Sequence, residues 1–176
     1  MTTTTHHPTR PTVGGLRTDL LGIYLNDHLA GATAGAGRAR FMARSHRDTP
    51  AAGTLRALAE EIAEDRASLV GVMRRLGVPE RRYKTVAAGT AERLGRLKSN
   101  GRLLRPSPLT LVVELEFLRL GVKGKELGWR TLRSLAEVDD RLDERALDAL
   151  IERARRQTST LEELRVGTAR DVLVSG

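Results

Sequence analysis

The sequence predicts an all-α fold: an antiparallel bundle of four long helices, with one shorter helix between the second and third long helices. Apolar residues recur at intervals of three and four along almost the whole chain, as they do on one face of a helix. Only five residues are aromatic, so the core must come from Leu, Val, Ile and Ala, which suits helices packing on helices. No stretch of the sequence shows the alternation typical of a strand.

The first long helix is predicted from about 16 to 44. One series of its residues leads to a carboxylate in mid-helix: Leu16, Leu20, Ile23 and Asp27. The tract 30–37 contains only Ala, Gly and Thr, which favours a close approach of another helix. Its Gly35–Gly37 pair has neither the preceding strand nor the following Gly-Lys-Ser/Thr of a phosphate-binding loop.

The second long helix is predicted to begin at Pro50, because Asp48 and Thr49 can cap a helix and proline suits its first turn. Gly77 ends it. Its inward positions alternate by three and four and include one carboxylate: Leu55, Leu58, Ile62, Asp65, Leu69, Val72 and Leu76.

The shorter helix is predicted from about 80 to 99, between Pro79 and the Asn100-Gly101 pair. One of its faces is largely apolar and carries Tyr83, Val86, Thr90, Leu94 and Leu97. The other face, which carries arginines, is predicted to face solvent.

The third long helix is predicted from Ser107-Pro108 to about Glu137, and it is apolar on two sides. One stripe comprises Leu111, Leu115, Leu118, Val122 and Trp129. The second, on nearly the opposite side, comprises Leu109, Val113, Phe117, Leu120 and Leu127. Since a helix apolar on two sides is buried on two sides, we expect the shorter helix or a second copy of the protein to cover residues 109–127. The glycines beside this stripe favour another backbone passing close: Gly121, Gly124 and Gly128.

The last long helix follows the acidic turn 137–143. Its predicted inner face comprises Leu147, Leu150, Ile151, Ala154, Leu161 and Leu164. Acidic residues at its start, with Arg165 and Arg170 at its end, complement the helix dipole. Four helices of roughly 28–30 residues would each be about 43 Å long. Matched lengths and mostly short connections favour an antiparallel bundle.

Residues 13–176 are predicted to form this single domain, and the polar, Thr-rich residues 1–12 a disordered tail. The chain has no cysteine, which excludes disulfides and thiolate metal sites. No apolar run approaches the roughly 18 residues of a membrane span, so a cytoplasmic location is expected. The preference for Arg over Lys, with abundant Ala, Gly and Leu, is typical of a GC-rich bacterial genome.

Nearly all of the net charge of +8 arises in one stretch. From Arg74 to Arg105 ten basic residues are opposed by two acidic ones, while the other twenty basic and twenty acidic residues of the chain cancel. Guanidinium groups match phosphate oxygens well. The predicted anion-binding residues lie on the solvent side of the shorter helix and in the linker after it: Arg82, Arg93, Arg96, Arg102 and Arg105.

An anionic partner is therefore predicted: nucleic acid first, then an acidic protein, with a membrane surface less favoured. No aromatic stacking platform, helix-turn-helix or zinc module accompanies the basic stretch, so base-specific reading is not expected. The alternative is a solvated helix face whose arginines reflect codon usage.

Five residues are candidates for a carboxylate metal site, two in the middle of the first long helix, two in the second and one early in the third: Asp27, His28, Glu61, Asp65 and Glu114. A carboxylate in an apolar seam, such as Asp65, is costly unless it is protonated, paired or metal-bound. The helix layout, over nearly the whole chain, resembles the ferritin-like superfamily. Members with a dimetal site carry a Glu-x-x-His motif on two helices, and both motifs are missing here. The resemblance therefore implies a degenerate iron or manganese site. Alternatively, Asp27 and Asp65 pair with Arg66, His28 or a backbone group and fix the helix register.

All four histidines lie in the first 46 residues, and no nucleophile elbow or oxyanion loop accompanies them, which argues against a hydrolase. The sequence predicts no catalytic residue and no cofactor. It favours a non-catalytic helical-bundle interaction module that binds an anionic partner through Arg74–Arg105. The alternatives are a ferritin-like metal-binding protein or oxidoreductase with a degenerate dimetal site, and a structural homo-oligomer.

Overall fold

The computed structural model describes residues 16–81 and 109–174, and these residues form four long α-helices and no strand. The helices are α1 (Thr18–Ser45), α2 (Ala52–Arg75), α3 (Thr110–Leu135) and α4 (Glu144–Leu173). The all-α prediction is confirmed. The described residues contain four helices rather than the five predicted, since the shorter helix falls mostly on residues outside them. Its first predicted turn is not helical as far as residue 81. The predicted tail, 1–12, also lies outside the described residues.

The predicted end of α2 at Gly77 is confirmed, and α4 has a cap that was not predicted. Gly77 ends α2 with a φ of +71°, in the left-handed region that glycine adopts without steric cost. Asp143 caps α4 by accepting a hydrogen bond from the Ala146 N–H at 3.0 Å. The prediction that Asp48 or Thr49 caps α2 is wrong, because α2 begins two residues beyond Pro50 and the Thr49 hydroxyl donates back to the His46 carbonyl.

The helices form an antiparallel arrangement of two hairpins, α1–α2 and α3–α4. Contacts between hairpins also pair antiparallel helices: Tyr24 of α1 donates to Thr131 at 3.0 Å, and Arg141, before α4, donates to the Leu76 carbonyl after α2. It follows that α2 and α3 run parallel. The end of α2 and the start of α3 therefore lie at opposite ends of the bundle, about 36 Å apart for a helix of 24 residues.

The core lies where three predicted faces meet. All seven predicted inward positions of α2 are buried, including Asp65, and so is the first stripe of α3. From α4, Leu147, Ile151, Ala154 and Leu161 are buried, while Leu150 and Leu164 are partly buried. None of the helices in the described ranges combines the length and apolarity that a membrane span requires.

The predicted inner face of α1 is wrong. Leu20 and Ile23 are 53% and 46% exposed, and Asp27 is exposed as well. The buried face comprises Leu21, Leu25, Leu29, Ala36, Ala39 and Met42. The series containing Leu20 ends in small or polar residues after Asp27, whereas the series one residue further on continues at helical spacing to Met42.

The small-residue tract of α1 packs through its alanines rather than its glycines. Ala36 is fully buried, but no described heavy atom lies within 4 Å of a Cβ built on Gly31, Gly35 or Gly37. The predicted close approach at these glycines is therefore not found among the described residues.

Candidate functional site

A polar cluster occupies the middle of the bundle, and we call it the central cluster: Glu61, Asp65, Lys125, Arg153 and Gln157. Asp65 of α2 is only 1% exposed. Lys125 of α3 donates to one of its oxygens, and the Nη2 of Arg153 in α4 lies 2.5 Å from the other. Two cations from two other helices thus neutralise one buried carboxylate.

Gln157 completes the central cluster from α4. Its Oε1 accepts a hydrogen bond from Lys125 at 2.6 Å. Its Nε2 donates to Glu61 at 2.9 Å and to Asp65 at 3.1 Å. Because both ends of the amide are occupied by defined partners, Gln157 fixes the register of α4 against α2 and α3.

Burial lowers the pKa of Lys125, and attraction to Asp65 opposes that shift. An ammonium group in a dry interior is costly without a partner. The Asp65 carboxylate therefore offsets the cost of burying the Lys125 ammonium group.

The sequence did not reveal these partners of Asp65. The expected ones are elsewhere: Arg66 donates to Thr33 at 2.9 Å, and His28 packs against α3. The missed signal was the spacing of Lys125, which continues the buried stripe of α3 between Val122 and Trp129. A lysine on one apolar stripe and an aspartate on another indicate a buried ion pair between the two helices.

Glu114, a predicted metal ligand, forms ion pairs near the start of α3. It is 5% exposed. Arg38 donates to its Oε1 at 2.8 Å, and the His46 Nε2 lies 2.9 Å from its Oε2. The pairing ties the start of α3 to the second half of α1 and the residue that follows it.

Glu126 is a third buried carboxylate, which the sequence analysis missed. It is 1% exposed and receives Lys123 and Arg130, each at 2.7 Å, from its own helix. The hydrogen bond from Lys123 lowers the pKa of Glu126, and Arg130 acts in the same direction. Because its partners come mostly from α3 itself, Glu126 contributes less to joining helices than Asp65 does.

His28 lies against α3 rather than in a cluster of ligands. The ring carbon Cε1 of His28 would be 2.8 Å from a Cβ on Gly128, and the ring stacks at a tilt on Tyr24 with centroids 4.5 Å apart. Burial lowers the pKa of His28, and the charge of Asp27 opposes this shift. The sequence predicted another backbone close to Gly128, but its close neighbour is a side chain of α1.

The five metal candidates lie at three separate places on the bundle: Glu61 with Asp65, Asp27 beside His28, and Glu114 near the start of α3. Within residues 16–81 and 109–174 there is no group of three or more His, Cys, Asp or Glu side chains that could hold a metal ion.

Three of the ten basic residues in the Arg74–Arg105 stretch are described: Arg74, Arg75 and Arg81. All three are exposed, and the described residues offer them no carboxylate partner within ion-pair distance. The five predicted anion-binding arginines lie outside the described residues: Arg82, Arg93, Arg96, Arg102 and Arg105.

An open groove between α2 and α4 adjoins this basic end. It has a volume of about 490 Å³. Arg75, Arg153 and Arg156 line it together with small and apolar side chains, and no described carboxylate is part of the lining. The basic character of the end of α2 therefore extends across the surface onto α4.

In comparisons with known proteins, no family model, no curated protein and no solved structure matches the chain.

Proposed function

We propose that this protein is a non-catalytic helical-bundle interaction module, bacterial and cytoplasmic, that binds an anionic partner through the basic stretch Arg74–Arg105. The observation that carries the proposal is the distribution of charge. The described residues contain 22 basic and 21 acidic side chains, whereas the other 44 residues contain eight basic and one acidic. The described bundle is thus nearly neutral, and seven of the other eight basic residues fall between residues 82 and 105 of the sequence.

The surroundings of the stretch support attraction rather than neutralisation. Arg74 and Arg75 are exposed and unpaired among the described residues, and Arg156 extends the basic surface across the α2–α4 groove. Inside the bundle, by contrast, the buried carboxylates are occupied by cations. No described acidic side chain reaches across Arg74 or Arg75 to cancel their charge.

Nucleic acid is the proposed first partner and an acidic protein the second. Arginine forks bind phosphate oxygens in a bidentate manner, and each neutralised phosphate releases counterions, which makes the affinity fall with salt. The shorter helix proposed for about 80 to 99 would present Arg82, Arg93 and Arg96 on one face, with Arg102 and Arg105 after it.

The proposal is tested by fluorescence anisotropy with a labelled oligonucleotide over a range of salt concentrations. We expect binding at low salt, and the logarithm of the association constant should fall linearly with the logarithm of the salt concentration. The Arg74→Ala/Arg75→Ala variant should reduce that slope by about one for each lost phosphate contact. The Arg82→Ala/Arg93→Ala/Arg96→Ala variant should reduce it further.

The matched control is Arg145→Ala/Arg170→Ala, which removes two exposed arginines that line neither groove and leaves the same net charge as the Arg74/Arg75 variant. It should bind like the wild type. No binding at low salt, or equal weakening in both double variants, would contradict the proposal.

A second candidate, a structural homo-oligomer joined through residues 109–127, is favoured by one observation. Val113, Phe117, Leu120 and Leu127 are between 37% and 63% exposed and form one stripe along α3. A contiguous apolar patch of this kind is typical of an interface. Light scattering after size exclusion should give a dimer mass that Phe117→Ser/Leu120→Ser halves, and a wild-type monomer would reject this candidate.

The ferritin-like alternative is an iron or manganese site. Among its candidate ligands in the described residues, Glu61 and Asp65 are the two carboxylates that adjoin each other. Elemental analysis of the purified protein separates it from the interaction module. Stoichiometric metal that is lost in Asp65→Ala would favour the metal site over the proposed function.

A further inference from the structure

A second basic groove lies between the last part of α1 and the first part of α2, away from the stretch Arg74–Arg105. It is open and has a volume of about 440 Å³, within the range of roughly 300–1,000 Å³ typical of small-molecule sites. Four arginines line it: Arg40, Arg44, Arg47 and Arg56.

The charge of these arginines is largely unmatched. Arg47 pairs with its exposed sequence neighbour Asp48 at 3.3 Å, and Arg40 donates to a carbonyl of its own helix. Arg44 and Arg56 have no ion-pair partner among the described residues. Glu60 is the one acidic side chain in the lining. The groove therefore has an excess of guanidinium groups that Asp48 and Glu60 offset only in part.

The floor of the groove is built from small residues, so long side chains do not fill it. It comprises Ala43, Ala52, Gly53, Ala59 and Ala63. A Cβ built on Gly53 meets no described heavy atom within 4 Å. The space between the arginines is thus open to a ligand.

The charge of the lining sets the size of that ligand. Arg40 and Arg44 come from α1, Arg47 from the turn that follows it, and Arg56 from α2. Four guanidinium groups and one carboxylate leave the lining a net charge of +3, which exceeds the charge of about −2 on a single phosphate group, whereas two or three linked phosphates match it. The lining contains no aromatic side chain on which a base could stack.

The start of α2 adds to the attraction. The residue before it, Ala51, provides no side-chain cap, and the first-turn residues Ala52 and Gly53 line the groove. The positive end of a helix dipole favours an anion there. This contribution supplements the four arginines and does not stand alone.

We infer that the α1–α2 groove binds a soluble ligand carrying two or more linked phosphates. The shared chemistry is the oligophosphate group, held by bidentate guanidinium contacts. This site is independent of the proposed function, because Arg56 and Arg74 are 18 residues apart on α2, about 27 Å along the helix.

Isothermal titration calorimetry with inorganic triphosphate tests the inference on the full chain. The groove variant is Arg44→Gln/Arg56→Gln. The matched control, Arg145→Gln/Arg170→Gln, removes two exposed arginines of α4 that have no described carboxylate partner. We expect the groove variant to bind at least ~10-fold more weakly than the wild type, since two charge-assisted contacts are lost. The control should change the Kd by less than about twofold.

A second variant blocks the groove without altering charge. Gly53→Leu places a side chain over the small-residue floor, from a Cβ position that is unobstructed. It should weaken triphosphate binding while the thermal unfolding midpoint stays at or above that of the wild type. Wild-type affinity in both groove variants would overturn the inference.

The result also separates this inference from the proposed function. Triphosphate binding that is lost in Arg74→Ala/Arg75→Ala but retained in the groove variants would overturn the inference and leave the basic stretch as the anion site. Binding of an oligonucleotide but not of triphosphate would overturn it as well. Loss of triphosphate binding in the groove variants alone supports it, whatever the oligonucleotide titration shows.

Discussion

On the inner face of α3, the ammonium group of Lys125 lies inside the bundle between Asp65 and Gln157, whereas the outer face of the same helix exposes Val113, Phe117, Leu120 and Leu127. The usual distribution of polarity is locally reversed. The difference teaches that burial along α3 follows from which helix lies opposite each position. The inner charge is tolerated because α2 and α4 supply partners for it, and the outer apolar groups have no cover among the described residues.

The largest expected effect comes from breaking the inner pair. Asp65→Ala leaves Lys125 and Arg153 without their buried carboxylate, so we expect a loss of about 3–5 kcal/mol in the free energy of unfolding. Urea denaturation measures it. The double variant Asp65→Leu/Lys125→Met removes both charges and should recover most of the loss. A cost under about 1 kcal/mol for Asp65→Ala would show that the pair is not a dry interior contact.

The two sides of α3 should also respond differently to a Gly→Ala substitution, made in turn at Gly128 and at Gly124. Gly128→Ala places a Cβ 2.8 Å from the His28 ring, and overpacking of this kind costs about 1–3 kcal/mol. Gly124→Ala meets no described atom within 4 Å and should stabilise the helix by about 1 kcal/mol. Urea denaturation of both variants checks the opposite signs. Equal signs would contradict the difference in packing.

Acid should weaken the contact between His28 and α3. Burial lowers the pKa of His28 below its usual 6.5, so the unfolded chain binds more protons just below pH 6.5 than the folded chain does. The stability that His28 contributes is complete above pH 6.5 and is lost as the pH falls towards the lowered pKa. His28→Gln should show a flatter dependence of unfolding free energy on pH in this window. Identical profiles for the wild type and the variant would contradict the prediction.

The smallest expected effect concerns the outer face. Leu120 is 63% exposed, so Leu120→Ser should change the free energy of unfolding by no more than ~0.5 kcal/mol. Chemical denaturation at two protein concentrations measures it. A larger loss would mean that this face is covered, by a second copy if the loss depends on concentration and by the same chain if it does not.

The helices were predictable from the sequence where the pattern offered one solution. The seam of α2 follows from a spacing that no other face of the helix matches equally well, and its end at Gly77 follows from the conformation that glycine adopts. The inner face of α1 was not predictable in the same way, because two apolar series lie one residue apart near Leu20 and Leu21, and only packing against α2 and α3 selects between them.

The candidate site was less predictable than the fold. The burial of Asp65 followed from its place in the α2 seam, but its partners come from α3 and α4, 60 and 88 residues further along the chain. Spacing within a helix contains no information on which helix lies opposite. The α1–α2 groove was missed for a similar reason: Arg44 and Arg56 belong to different helices, and their convergence depends on the hairpin that joins them.

The parallel course of α2 and α3 has a consequence for how the molecule is assembled. Each hairpin is joined by a connection of six or eight residues, and the chain passes from one hairpin to the other once. Local pairing can therefore complete each half early, while the junction between halves forms only when distant segments meet. An interior ion pair at that junction disfavours docking of the two hairpins in a shifted register, because a buried charge would then have neither its partner nor water.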